Sequence, residues 1–206
     1  NIQVELQKLQ SSGMPAIIET VQTNNRGQFS FSPADADTSA TYVFGANHQS
    51  VHYFSETFKL SAAAKPNLVI YDTTKVTAGL KASMHHFFLE DDGRSISVRE
   101  TVVLTNPTNK TIVGAFHEHG IGDAILKFQL PVGAQNFTPM ERNTGIELQK
   151  SGDFVFDTGV FVPGQRQVSY VYQLPWRRDA VTAFLKVLYP ATSFDVFLNN
   201  PNLRIQ

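Results

Sequence analysis

Apolar residues recur at every second position along much of this 206-residue chain. The clearest stripe comprises Val168, Tyr170, Tyr172 and Leu174. Successive side chains of a β-strand point to opposite faces of a sheet, so a period of two places one set of side chains on a core. No long stretch repeats apolar residues at helical spacing, and the 16 Phe and 6 Tyr suit a pleated surface. The sequence predicts an all-β protein.

Turn residues separate the predicted strands along the whole chain. Gly27 follows a pair of asparagines, and an Asp-Gly pair at 92–93 supplies the positive φ angles that a hairpin turn needs. Many short strands joined by turns are typical of sandwiches and barrels. A polar stretch at 72–78 interrupts the pattern before it restarts at Leu80. We therefore predict two consecutive β-sandwich domains, residues 1–73 and 79–206. The predicted strands include 28–31, 67–71 and 182–188.

Glu100 departs from the alternation of the strand that contains it. It falls on the same face as Val98 and Val102, which the period of two assigns to the core. A carboxylate is rarely buried without a partner. The sequence predicts that Glu100 either pairs with an arginine on a neighbouring strand or marks a bulge or an edge of the sheet.

Charge and cysteine content exclude several classes of protein. The formal net charge is -1, with 17 Lys and Arg against 18 Asp and Glu, and no block of like charge stands out. Binding to nucleic acid or to an anionic membrane surface is therefore not expected. The chain has no Cys, which excludes disulfides, thiolate metal sites and thiol nucleophiles. No apolar run approaches the roughly 18–20 residues of a transmembrane helix, so no transmembrane segment is predicted.

Motifs that mark common enzyme active sites are missing. The sequence contains no Gly-x-Ser-x-Gly elbow, no His-Glu-x-x-His zinc motif, no phosphate-binding loop and no dinucleotide fingerprint. We therefore predict a protein that is not an enzyme and that needs no cofactor. A hydrolase would require a triad assembled from distant residues, and it stays open as an alternative.

Four histidines are the candidate metal ligands. His117 and His119 lie two apart, so on a strand both would reach one metal ion, and His85 or His86 would come from a neighbouring strand. Imidazole suits zinc, copper or nickel, and the nearby Met84 would favour copper. The alternative is that these are ordinary surface or half-buried histidines. A carbohydrate-binding module is the related possibility, and it would need exposed aromatic rings for sugar stacking.

Trp176, Arg177 and Arg178 form the most binding-like local feature. They follow Pro175, which places them in a loop after a strand. Tryptophan and arginine are enriched at the energetic centres of protein interfaces, so these residues are predicted to contact a partner. The alternative is that Trp176 covers the end of the sandwich and the two arginine stems pack over it.

Residues 23–31, TNNRGQFSF, followed by Tyr42-Val43-Phe44, carry a resemblance to a known family. Residues 1–72 resemble the carboxypeptidase regulatory-like, or transthyretin-like, β-sandwich domain of bacterial envelope proteins. The turn differs from the family pattern because Asn24-Asn25 stands where an Asp is more usual. Residues 79–174 look similar to a second sandwich that follows such domains in some bacterial proteins.

This resemblance implies an exported protein of the periplasm or cell envelope with a non-catalytic role. The chain opens with Asn1 directly in a strand-like pattern, which fits a mature form whose signal peptide has been cleaved. We expect a structural subunit or scaffold that docks onto other protein subunits of a membrane-bound complex, for example one of electron transport or photosynthesis.

Overall fold

The structure is a computed structural model that describes residues 1–10, 15–34, 36–61, 66–91, 93–140, 146–175 and 184–200. All regular structure in these ranges is β, which confirms the all-β class. The described residues include no long apolar helix of the kind that crosses a membrane. The chain forms two compact units, Asn1–Asp72 (unit 1) and Thr73–Gln206 (unit 2).

Unit 1 contains one antiparallel sheet with the strand order β2-β1-β3-β4. The strands are β1 (Gln3–Lys8), β2 (Ala16–Gln22), β3 (Tyr42–His48) and β4 (Val51–Phe54). Val4 and Leu6 of β1 and Tyr42 and Phe44 of β3 form the buried core. Alternation within each of these two strands therefore places its apolar set on one face, as the sequence predicts.

Loop residues cover this core without forming strands. Phe29 and Phe31 lie in the irregular segment 28–33, so the strand predicted there is wrong. Both rings still contact Phe44, with ring centroids 4.9 and 5.4 Å away. Aromatic contact alone is enough to bury these rings, and no backbone ladder is needed. The turn before them is confirmed, because Asn24 Oδ1 accepts hydrogen bonds from two backbone N–H groups and Gly27 has a φ of 73°.

Unit 2 is built around a five-stranded sheet with the order β12-β15-β7-β6-β16. Its strands are β12 (Gln135–Pro139), β15 (Gly164–Pro175), β7 (Ser95–Asn106), β6 (Lys81–Asp91) and β16 (Phe194–Leu198). The neighbours are antiparallel except β16, which runs parallel to β6. The predicted hairpin joins β6 to β7, where Gly93 has a φ of 79° and donates its N–H to Asp91.

Smaller sheets complete unit 2. A three-stranded sheet has the order β11-β14-β13, formed by β11 (Leu126–Gln129), β14 (Phe154–Asp157) and β13 (Leu148–Ser151). Two short pairs are β9 (Phe116–Glu118) with β10 (Gly122–Ala124), and β5 (Thr73–Thr74) with β8 (Thr111–Ile112). The described parts of the strands predicted at 67–71 and 182–188 are irregular chain, so those two predictions are wrong.

One hydrophobic core joins the five-stranded and three-stranded sheets of unit 2. The five-stranded sheet contributes an inner face that includes Phe87, Val98, Val102, Leu104, Val168, Tyr170 and Tyr172. The three-stranded sheet contributes Leu126, Phe128 and Val155. Phe128 lies against Tyr170, with 5.9 Å between the ring centroids.

A buried ion pair also joins these two sheets. Arg166 of β15 donates from Nε and Nη2 to the two carboxylate oxygens of Asp157 in β14, at 2.7 and 2.9 Å. Its Nη1 donates to the carbonyl of Val160, and Gly159 donates its backbone N–H to Asp157. Burial nevertheless raises the pKa of Asp157, against the opposing effect of Arg166. The pair therefore fixes how the sheets meet more than it adds net stability.

We expect Arg166→Met to destabilise unit 2 by about 3–5 kcal/mol, because it leaves the Asp157 carboxylate buried without its partner. Urea unfolding monitored by circular dichroism measures the change. The matched control is Lys150→Met on the exposed surface of β13, which should stay within about 0.5 kcal/mol of the wild type. Equal stability of the two variants would contradict this role of Arg166.

Candidate functional site

Glu100 lies in the centre of the five-stranded sheet and pairs with a histidine. It is 2% exposed and stands opposite Phe87 on β6 and Tyr170 on β15. Its Oε1 is 2.7 Å from Nε2 of His85, which is also buried. The inner-face position predicted for Glu100 is therefore confirmed, but its partner is His85 instead of an arginine. The strand is central, so the predicted edge is wrong, and the bulge of this ladder lies in β6 between Ala82 and Met84.

Two tyrosines of β15 complete this buried cluster. Burial first, and the charge of Glu100 second, raise the pKa of both Tyr170 and Tyr172 well above the ordinary range. Within the described residues, the Tyr170 hydroxyl and Glu100 Oε2 make no hydrogen bond of good geometry, although the hydroxyl lies close enough to respond to the charge. Both phenols therefore stay neutral beside the carboxylate.

The cluster has almost no space beside it for a substrate. The cavity lined by His85, Glu100, Leu188 and Tyr189 has a volume of about 10 Å³. That volume is about the space of one water molecule. Tyr189 is fixed over this region, because its hydroxyl accepts a hydrogen bond from the backbone N–H of Lys127 at 3.0 Å. The geometry suits a polar group that specifies the packing of the core, not one that turns over a substrate.

His86 projects to the outer face of the sheet and pairs with Asp195, whereas His85 pairs with Glu100. Its Nε2 lies 2.9 Å from Oδ2 of Asp195, and the hydroxyl of Ser193 bonds to that same oxygen. A serine nucleophile needs the imidazole between the hydroxyl and the carboxylate, so that the imidazole takes the hydroxyl proton. Here the carboxylate stands in the middle. The three residue types of a triad are therefore present in an order that does not activate Ser193.

The four predicted metal ligands do not come together. His85 and His86 lie on opposite faces of β6. His117 of β9 pairs with Asp123 of β10 at 2.8 Å on an exposed surface, and this hydrogen bond is the main cause of a lowered pKa of Asp123. His119 lies in the turn that follows β9. Among the described residues, no three His, Asp or Glu side chains lie close enough together to hold a metal ion.

A groove of mixed polar and apolar lining on the outer face of the five-stranded sheet is the candidate functional site. It has a volume of about 510 Å³, which is within the range of ligand sites. The residues that line it come from β6, β7, β15, β16 and the position directly after β12, and they include Phe88, Arg99, Met140, Val171 and Phe197. Phe197 and Met140 are 44% and 48% exposed. Sequence reasoning missed this groove, because alternation assigns these positions to solvent without showing that they are neighbours.

An arginine and two aromatic rings define the floor of the groove. Phe88 and Phe197 stack with 4.7 Å between ring centroids and 12° between ring planes. The guanidinium of Arg99 lies 4.3 Å from the centre of the Phe88 ring. The two residues stand opposite each other in the β6–β7 ladder. The outer face around it is mostly polar, so this apolar cluster is local. A solvated sheet face is expected to carry polar side chains, and a departure of this kind marks a contact surface.

The predicted partner-binding residues Trp176, Arg177 and Arg178 lie outside the described residues. Their role stays a prediction. The groove on the outer face shares their chemistry, with aromatic rings beside an arginine, and it lies on a rigid sheet.

Comparison with known proteins identifies no relative of this chain. No protein-family model matches the chain, and neither a curated protein nor a solved structure matches it. The resemblance of residues 1–72 to a carboxypeptidase regulatory-like domain and that of residues 79–174 to a second sandwich therefore stay predictions. Function has to be argued from the groove and the buried cluster themselves.

We expect His85→Phe to destabilise unit 2 by about 3–5 kcal/mol, because Glu100 then remains in the core without its partner. Glu100→Met should cost less, since a neutral imidazole without a partner is cheaper to bury than a carboxylate. The double variant should recover most of the loss, because both polar groups are replaced by apolar ones. Denaturant unfolding of the three variants measures these differences, and additive losses in the double variant would contradict a direct pairing.

Alkaline pH should weaken unit 2 through its buried tyrosines. Their raised pKa values mean that the folded state holds protons which the unfolded chain releases above pH of about 10. Each such tyrosine lowers the free energy of unfolding by up to about 1.4 kcal/mol per pH unit above that pH. The free energy of unfolding, measured between about pH 9 and about pH 11.5, should fall less steeply with pH in the Tyr170→Phe/Tyr172→Phe double variant than in the wild type. An unchanged slope would contradict the burial argument.

Proposed function

We propose that this protein is a non-catalytic interaction subunit that docks onto another protein through the outer groove of its five-stranded sheet. The observation that carries this proposal is the local cluster of Phe88, Phe197 and Arg99 on a sheet face that is mostly polar. Aromatic residues and arginine are enriched at the centres of protein interfaces, and apolar residues exposed together mark binding sites.

The chemistry of the polar clusters supports a role other than catalysis. His85 and Glu100 are enclosed in the core beside a cavity of about 10 Å³. On the outer face, Ser193, Asp195 and His86 stand in an order that does not make the hydroxyl a nucleophile. These arrangements suit structural roles, whereas the groove combines aromatic rings with an arginine, which is a binding chemistry.

The setting of the proposal comes from the resemblance of residues 1–72 to envelope domains. We propose that the protein acts in the periplasm or cell envelope and that its partner belongs to a membrane-associated assembly. A β scaffold suits such a role, because most of the residues that line the groove lie on paired strands.

Site-specific cross-linking in the native host tests the proposal. A photoreactive benzoylphenylalanine at Phe197 should form an adduct with one membrane-associated protein, which mass spectrometry identifies. The matched control is the same probe at Val132, which is 85% exposed in a turn of unit 2 and lies outside the groove. Phe197→Ser should weaken recovery of that partner at least about 10-fold, as expected for a central interface residue.

Two results would contradict the proposal. One is a protein that runs as a single monomeric species after gentle detergent extraction, with no adduct at position 197. The other is retention on an immobilised polysaccharide that depends on Phe88 and Phe197, with no protein adduct, because the groove would then serve a sugar ligand.

A further inference from the structure

We infer that the groove binds an extended peptide segment in which an apolar side chain is next to a carboxylate. This inference rests on the proposed function and names the chemistry of the partner. It is argued from Arg99, from the aromatic floor and from the polar groups at the rim.

Arg99 sets the charge of the partner. Its side chain is exposed, and its guanidinium lies over the ring of Phe88. No carboxylate of the described residues forms an ion pair with it. A guanidinium over a ring keeps N–H groups that can donate to the two oxygens of a carboxylate. Within the described ranges this ring-bound cation has no carboxylate partner, so its chemistry favours an acidic group on the partner.

The stacked rings set the apolar part of the partner. Phe88 and Phe197 are nearly parallel and adjacent, so they present a continuous apolar surface. Val171 and Met140 extend this surface across the sheet. A leucine or phenylalanine side chain placed here loses apolar area to water while its neighbouring residue reaches Arg99. The spacing of the two features thus requires both chemistries in one short segment.

The rim favours a peptide over a fatty acid. Ser97 and Asn199 line the same groove and supply hydroxyl and amide groups, which can pair with both the N–H and the C=O of a backbone. Glu90 stands at the end near Asn199, whose Nδ2 lies 3.3 Å from Glu90 Oε1. That carboxylate repels a second acid and attracts a donor. The groove therefore carries a cation as well as acceptors for a backbone N–H, whereas an alkyl chain offers neither donor nor acceptor along its length.

Two matched tripeptides test this chemistry. The probes are acetyl-Leu-Phe-Asp-amide and acetyl-Leu-Phe-Asn-amide, which differ only in a carboxylate against an amide of the same shape. They are titrated into the full ¹⁵N-labelled chain and followed by NMR. We expect shifts concentrated in β6, β7 and β16, and binding of the Asp peptide about fivefold tighter than that of the Asn peptide, in the range of an exposed charge pair.

One arginine variant and one lysine variant supply the controls. Arg99→Gln should make the two peptides bind equally, while Lys81→Gln should leave the ratio unchanged, because Lys81 is an exposed cation on the same face outside the groove. Added salt should reduce the preference for the Asp peptide. Equal binding of both peptides to the wild type, no binding of the Asp peptide, or shifts outside these strands would overturn the inference.

The outcome separates this inference from the proposed function. An adduct at position 197 together with equal binding of the two peptides means that the groove docks a protein of different chemistry. Absence of any adduct at position 197, whatever the peptides do, removes the interaction role itself.

Discussion

The contact between His85 and Glu100 sets the register of the central strands of unit 2, and the outer groove depends on that register. Burial requires the carboxylate to find its partner, which fixes β6 on β7 with Phe87 opposite Glu100. The same ladder places Phe88 opposite Arg99 on the other face. A slip of one residue would exchange the two faces of the strand. One polar contact inside the core therefore determines which side chains meet on the surface.

The Asp157–Arg166 pair has the corresponding role between the three-stranded and five-stranded sheets, because it fixes how they meet. It lies where β14 and β15 approach each other from different sheets, and both side chains are largely buried. Isolated charges are costly in such a place, so only arrangements that bring these two groups together are acceptable. Apolar residues such as Val155 and Val168 pack in many ways, whereas a bidentate contact accepts one geometry. The polar groups thus supply specificity to a core whose stability comes from apolar burial.

Alternation in the sequence predicted the strand class and the inner faces of β7 and β15, because the period of two is a property of each strand by itself. It also drew attention to Glu100, whose burial is confirmed. It failed at Phe29 and Phe31, since an aromatic pair next to a turn buries equally well without a ladder.

The groove could not be predicted from the sequence for a different reason. Phe88, Arg99 and Phe197 come from three strands, and only the pairing of those strands makes them neighbours. The predicted metal site failed for a related reason. His85 and His86 lie on opposite faces of β6, and the pattern along one strand does not show which side chains of other strands lie beside either of them. A pattern along one strand carries no information on which strands lie beside it.

The parallel placement of β16 has a consequence for the order in which unit 2 folds. The β6–β7 hairpin is local, so it can form early. The contact of β16 with β6 spans 109 residues, as between Glu90 and Asn199, and closing so long a loop is slow. Until then β6 presents an unpaired edge with two adjacent phenylalanines, which is a template for association with another chain. The chain is therefore most prone to such association in the interval before β16 pairs with β6.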